Sequence, residues 1–180
     1  QLVEGQTKEV KFSFDTNHGT DDYLKIIEGK TASLIETSAK LGAMASGCKQ
    51  ETISSISKWA WHSGIIFQIT DDILDLSSDE KTLGKPSGND IIEGTYTLPV
   101  LIALEKYPEK ISKVLSDVSE NKVSVNEVIN EFNNDEIISE SKLFLKTHLE
   151  KSESAAKEID NKTVRNILLD INTYLIERSN

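Results

Sequence analysis

Three aspartates stand within five residues in the run Phe67-Gln68-Ile69-Thr70-Asp71-Asp72-Ile73-Leu74-Asp75. Crowding like charges raises their energy, and a bound cation is one thing that offsets it. On a helix, Asp71 and Asp75 share a face, while Asp72 lies roughly 100 degrees round from Asp71. Two stacked carboxylates facing a cavity suit Mg²⁺. That hard ion takes oxygen ligands, keeps several waters and commonly completes its shell with substrate phosphates. The competing reading is a solvated acidic helix end. Against it, the cluster falls near a helix C-terminus, where the macrodipole disfavours negative charge.

Further candidates lie on either side. Lys85 stands in Gly84-Lys85-Pro86-Ser87-Gly88-Asn89-Asp90. Glycines let backbone approach a ligand closely, and a lysine there acts as a point charge on phosphate. The plain alternative is a solvated loop lysine. Lys30-Thr31 is a weaker, mid-helix candidate. Gln68 precedes Asp72 by one turn and either joins this chemistry or is a satisfied buried amide. His18, His62 and His148 have no zinc-like or catalytic spacing and read as core or surface residues. Trp59 and Trp61 read as packing, and Cys48 as a small buried residue with no activating partner. Together, the carboxylates, the lysine loop and the second lysine suit one task. They would hold a diphosphate through Mg²⁺ and ammonium groups, beside an apolar pocket for an attached hydrocarbon.

The elements that must position these residues read as helices. Apolar residues recur at three- and four-residue spacing, and no stretch sustains the two-residue alternation of a strand. Thr20-Asp21-Asp22 supplies N-cap chemistry for a helix through Tyr23, Ile26, Ile27, Leu34, Ile35 and Leu41, with Gly47 as its stop. A second long helix runs from about Thr52 through Trp59, Ile65, Ile66 and Ile69 to Leu74 and carries the aspartates. The span 77–94, with Gly84, Pro86, Gly88 and Gly94, reads as the one clear loop. Thr97-Leu98-Pro99 opens the next helix, with proline tolerated in the first turn. Later helices are expected near 108–119, 125–132, 135–160 and 162–178, the last three capped by Ser124, Asn134 and Asn161.

Bulk properties narrow the class. The 180 residues suit one helical domain, 1–180, and 37% hydrophobic content supplies a core. A net charge of -10 argues against nucleic acid or an anionic membrane as main partner. With one cysteine, no intrachain disulfide forms. No apolar run of about 18 residues is present, so the expectation is a soluble cytoplasmic protein with at most peripheral membrane contact. The opening residues, from Gln1 to Phe12, read as the tail of something already under way.

At this point the motifs resemble a known family. The run 64–75, followed by Leu83-Gly84-Lys85-Pro86-Ser87-Gly88-Asn89-Asp90 and Glu93-Gly94-Thr95-Tyr96-Thr97-Leu98-Pro99, is similar to the trans-polyprenyl diphosphate synthases. The first run looks like their second aspartate-rich motif. Tyr23-Leu24-Lys25-Ile26-Ile27-Glu28-Gly29-Lys30-Thr31-Ala32 looks like their lysine-threonine motif. The resemblance implies an all-α, long-helix bundle of the isoprenoid synthase type, with only the C-terminal portion present. It implies Mg²⁺-dependent condensation of isopentenyl diphosphate with an allylic diphosphate, giving a longer all-trans product. Asp71, Asp72 and Asp75 would then belong to the metal site. Lys30 and Lys85 would contact the allylic diphosphate. Thr31 and Gln68 would stabilise the cationic carbon, and Asp90 would orient Lys85 or water. A homodimer or heterodimer is implied as well.

Two departures from the family pattern stand out. Many members have lysine where this chain has Thr95, and nothing here matches the first aspartate-rich motif. The chain therefore reads as the C-terminal half of a synthase, inactive or impaired by itself. Three other readings compete. A non-catalytic partner subunit would not need the lysines and aspartates. A class I terpene cyclase would carry a downstream Asn/Ser/Thr-and-Glu metal motif, which is not seen. A plain helical domain with solvated acids would leave the three motifs unexplained.

Overall fold

The computed structural model describes residues 1–77 and 87–178, with the side chain of Ser77 left out. Among the described residues every regular element is a helix. In chain order these are α1 (Leu2–Lys11), α2 (Thr20–Ile27), a π-helical turn (Glu28–Ala32), α3 (Ser33–Ala45) and α4 (Gln50–Ser77). There follow α5 (Asn89–Ile92), α6 (Leu98–Lys106), α7 (Pro108–Ser119), α8 (Val125–Val128), a 3₁₀ turn (Ile129–Glu131), α9 (Asp135–Lys157) and α10 (Lys162–Glu177).

The spine is α4, 28 residues long. Its middle is apolar on more than one side: Ala60, Ile65, Ile66, Ile69 and Ile73 are all buried. A helix of that kind must be covered on several faces. Accordingly α3 and α9 run along it, and α6 and α10 close further sides. Leu98, Ile102, Phe132 and Ile137 pack with those isoleucines in the main core. A second small cluster joins Trp59 and Ala60 to Ala155 and Ala156.

Close approach between helices is set by missing side chains. A Cβ on Gly64 would fall 2.7 Å from the Ala32 Cα, and one on Gly5 would fall 2.5 Å from the Lys30 backbone nitrogen. Gly64 thus lets the π turn lie directly on α4, and Gly5 lets α1 lie on the π turn. Where α4, α9 and α10 meet, polar side chains fix the register. Ser63 donates to Asn172 Oδ1 at 2.8 Å, Asn172 donates back to Ser152 Oγ at 3.0 Å, and Ser152 contacts the Trp59 carbonyl at 3.2 Å.

The long helices fall where the periodicity places them, and the differences have local causes. Gly47, at φ +70, stops α3 as expected. Its N–H reaches the Met44 carbonyl and the Cys48 N–H the Ala43 carbonyl, a Schellman ending. At the front of α2 the N-cap is Gly19, and no side chain of Thr20-Asp21-Asp22 caps it. The helix from Thr20 to Ala45 is interrupted by the π turn rather than continuous. On the far side, α4 continues to Ser77, past Leu74, and the expected loop contains the short α5. Asp79, Lys81, Gly84, Lys85 and Pro86 lie outside the described residues. The expected helix 125–132 splits into α8 and the 3₁₀ turn, and α9 stops at Lys157 rather than Asp160. Asn134 and Asn161 do cap α9 and α10: Asn134 accepts from Ile137 N–H at 3.1 Å and Asn161 from Thr163 N–H at 3.0 Å. At Ser124 the Glu127 carboxylate accepts the backbone N–H at 3.3 Å.

Candidate functional site

Four side chains from α2, the π turn and α4 form one hydrogen-bonded chain. Thr31, in the π turn, donates to Gln68 Oε1 at 2.7 Å. Gln68 Nε2 donates to Asp72 Oδ1 at 2.9 Å, and the Tyr23 hydroxyl donates to Asp72 Oδ2 at 2.5 Å. The Gly64–Ala32 contact brings the π turn and α4 close enough for the first of these bonds. Gln68 and Asp72 are one turn apart on α4, which supplies the second. A π turn inserts an extra residue into the helix and re-aims the side chains around it. Here that turn carries Lys30 and Thr31.

The chain borders a cavity of about 310 Å³. Tyr23, Lys30, Gln68, Asp71, Asp72 and Asp90 line it, with Glu9, Glu93, Thr95 and Tyr96. Phe12, Ile26 and Ile27 supply apolar wall. Asp72 is 2% exposed. Burial pushes its carboxyl up to about 7, and the nearby Asp90 and Asp71 charges push the same way. The hydrogen bonds from Tyr23 and Gln68 pull it down. Burial and the adjacent Asp72 charge hold the Tyr23 hydroxyl well above its ordinary range. Tyr23 is therefore a firm donor to the carboxylate.

The sequence-derived candidates divide. Lys30, Gln68, Asp71, Asp72 and Asp90 meet at the cavity. Lys30 is engaged there by Glu9, Nζ to Oε1 2.6 Å. Thr31 reaches the site through Gln68. Asp75, 3% exposed, faces the start of α5, where its Oδ2 accepts the Asp90 N–H at 3.4 Å. Asp71 and Asp75 thus share a helix face by spacing without sharing the cavity. Lys85 lies outside the described residues.

As a cation site the donor set is suitable in kind and incomplete in number. Carboxylates from Asp71, Asp72, Asp90, Glu93 and Glu9 are all hard oxygen donors around one space. Among the described residues, however, no three His, Cys, Asp or Glu side chains converge closely enough to hold a metal ion. Such a partial set matches Mg²⁺, which binds through one or two carboxylates and leaves the rest of its shell to water and phosphate.

Several lining residues had escaped the sequence reading. Tyr23 sat in an apolar stripe, though a buried tyrosine hydroxyl needs a partner and so gave a signal. Glu93 and Tyr96 stand in the motif 93–99 without an assigned role, and Glu9 carries no signal, because only the packing of α1 brings it in. His18 lines the same cavity, 7% exposed, stacked on Phe12 with ring centroids 4.9 Å apart. His62 and His148, unrelated by spacing, meet across α4 and α9 with their Nδ1 atoms 3.1 Å apart. Trp59 is buried in the second cluster, and Trp61 packs partly buried against the main core.

Comparison with known proteins bears on the family and the fold. The polyprenyl synthetase family model matches residues 1–134. Heptaprenyl diphosphate synthase component 2 of Bacillus subtilis is 31% identical over 99% of this chain and 51% of its own length. A short chain isoprenyl diphosphate synthase of Methanocaldococcus jannaschii is 38% identical over 73% of this chain and 40% of its own. The crystal structure of heptaprenyl diphosphate synthase from Staphylococcus aureus superposes with a TM-score of 0.89 at 30% identity. It covers 99% of this chain and 57% of that one. The chain therefore spans about half the length of the relatives it matches most fully. With the match extending over most of its residues and the all-α architecture shared, the chain belongs to the polyprenyl synthetase family.

Proposed function

We propose that this chain is the C-terminal half of a prenyl transferase, which condenses isopentenyl diphosphate with an allylic diphosphate to give a longer all-trans polyprenyl diphosphate. Residues 1–180 would form one helical portion of a larger synthase unit. One observation carries the reading. The chain Thr31–Gln68–Asp72–Tyr23 borders a cavity lined by Lys30 and Asp71 together with the apolar Phe12, Ile26 and Ile27. A lining of both kinds suits a ligand that joins a diphosphate to a hydrocarbon.

In the proposed reaction the allylic C–O bond breaks and pyrophosphate leaves with the electron pair. The double bond of isopentenyl diphosphate attacks the cationic carbon, and a proton is lost to restore a double bond. Mg²⁺, when bound, neutralises charge developing on the leaving diphosphate. Asp71 and Asp72 are the residues that would hold it here. Asp75 would support them from below rather than as a direct ligand. The anionic form of Asp72 is costly in isolation, and the Tyr23 and Gln68 hydrogen bonds lower that cost. Lys30 would donate to phosphate oxygen once released from Glu9, with Lys85 as a second contact. The oxygens of Thr31 and Gln68 would stabilise the cationic carbon as fixed dipoles. Asp90 would orient Lys85 or water. The neighbouring Thr95 is a hydroxyl rather than an ammonium at the cavity wall.

The test is an assay of the full-length parent with isopentenyl diphosphate, an allylic primer and Mg²⁺. Asp71→Ala should reduce product formation by about a hundredfold or more, the scale seen when a stabiliser of transition-state charge is removed. Near-normal turnover would overturn the assignment. Component 2 in the Bacillus relative's name makes a two-subunit enzyme a natural arrangement to examine in the same assay.

A further inference from the structure

The end of α10 returns to the aspartate helix. Arg178, the C-cap residue of α10, places Nη2 3.7 Å from Asp71 Oδ1. Its guanidinium carbon lies 5.6 Å from the centroid of the Phe67 ring. Phe67 and Asp71 are one turn apart on α4, so the two contacts form a receptor that a planar cation fills from above. The aromatic face and the carboxylate hold different parts of one guanidinium, as lysine could not do equally.

This contact is more than a surface ion pair because of what Asp71 lines. Glu9, Asp71, Asp72, Asp90 and Glu93 surround the cavity, and Lys30 is the one Lys or Arg among its described lining residues. Lys30 is already engaged by Glu9. Asp71 is half-exposed at the rim, at 49%, and Arg178 is 32% exposed. A carboxylate at the rim of an acidic cavity is pushed outward by its neighbours. A cation seated on its outer side limits that movement and offsets part of the repulsion.

We infer that Arg178 is a positioning residue for the diphosphate site. It holds the Asp71 carboxylate at the cavity rim and so couples the docking of the last helical turn to the binding of a Mg²⁺-diphosphate ligand. The inference rests on the diphosphate reading above. Arg178 does not touch the ligand in this assignment. It acts through Asp71, with Phe67 as the platform that fixes the guanidinium.

Two measurements on the full chain test it. The first is calorimetric binding of inorganic pyrophosphate with Mg²⁺. Arg178→Ala should weaken binding about three- to fivefold, the range available to a partly exposed ion pair. Arg178→Lys should recover part of that loss. In an Asp71→Asn background Arg178→Ala should have no further effect, because the residue it acts through is already neutral. Equal losses in both backgrounds would overturn the proposal. The second is amide exchange without ligand. Asp71→Asn should speed exchange at residues 174–178 by about two- to fivefold, leaving the middle of α10 unchanged. Unchanged exchange there would overturn the clasp. If the wild-type chain takes up no Mg²⁺-pyrophosphate yet exchange responds, the diphosphate reading fails while the Arg178–Asp71 coupling stands.

Discussion

At the scale of single residues, Asp72 governs the site. It is buried, and its two oxygens accept from side chains on two different elements. Tyr23→Phe removes a donor from a carboxyl whose ionisation is centred at about 7. A hydrogen bond to a charged acceptor is worth roughly 1.5–3 kcal/mol, against about 1 for a neutral one. The substitution should therefore cost more stability at pH 8, with Asp72 ionised, than at pH 5.5, with it protonated. Paired urea titrations of wild type and variant at the two pH values check this. An equal cost at both would mean that Asp72 does not ionise in this range. The importance of Asp72 was legible in the sequence as one of three crowded aspartates. Its separation from Asp75 was not, because spacing assigns residues to a helix face and says nothing of which neighbour covers that face. Lys30 was likewise legible as a basic candidate, while its engagement by Glu9 depends on how α1 packs.

At the scale of elements, helix contacts decide what those residues can do. Gly64→Ala would set a methyl 2.7 Å from the Ala32 Cα, a distance backbone must move to relieve. The expected cost is about 1–3 kcal/mol of stability, as for overpacking of a tight core. The Thr31–Gln68 bond should also lengthen, since the same contact positions both. Denaturant unfolding of the chain measures the first effect, and turnover of the full-length parent the second. A neutral substitution would show that the π turn has freedom to shift.

The α4–α9 contact carries its own titration. His148 is held down to about 4, chiefly by burial, then by His62 and Lys151. His62 is also lowered by burial. A histidine depressed below its unfolded value of about 6.5 binds its proton more readily in the unfolded chain. Stability is then fully present above about pH 6.5 and is lost as pH falls from there toward 4. His148→Gln should flatten the melting temperature across that window. An unaltered acid slope would place the proton uptake elsewhere. Nothing in the sequence paired these histidines, because they stand 86 positions apart and meet only where two helices pack.

For the whole molecule, charge balance makes a metal the expected condition for the proposed diphosphate binding. A net charge of -10 and an acidic cavity oppose a polyanion. Pyrophosphate alone should leave the melting temperature unchanged, whereas pyrophosphate with Mg²⁺ should raise it. Saturation a hundredfold above the dissociation constant corresponds to about 2.7 kcal/mol. Chelation of the metal should return the curve to that of the free protein, and a metal-independent rise would contradict the bridging role of the cation. Among the described residues no helix is long and apolar enough to cross a membrane.

By itself the sequence determined the helical class and most helix positions, and it singled out the acids and lysines proposed to handle a diphosphate. Those are local properties, set by 3.6-residue periodicity, capping chemistry and side-chain type. Only the tertiary structure decided which of those residues act together. It set Asp75 against the Asp90 N–H of α5 and placed Lys30 and Thr31 within a π turn. It also brought in Glu9, Tyr23 and Glu93 and laid Arg178 against Asp71. Each depends on close approach between distant segments, and the permissive residues, Gly5, Ala32 and Gly64, are small ones whose role appears only when two backbones meet.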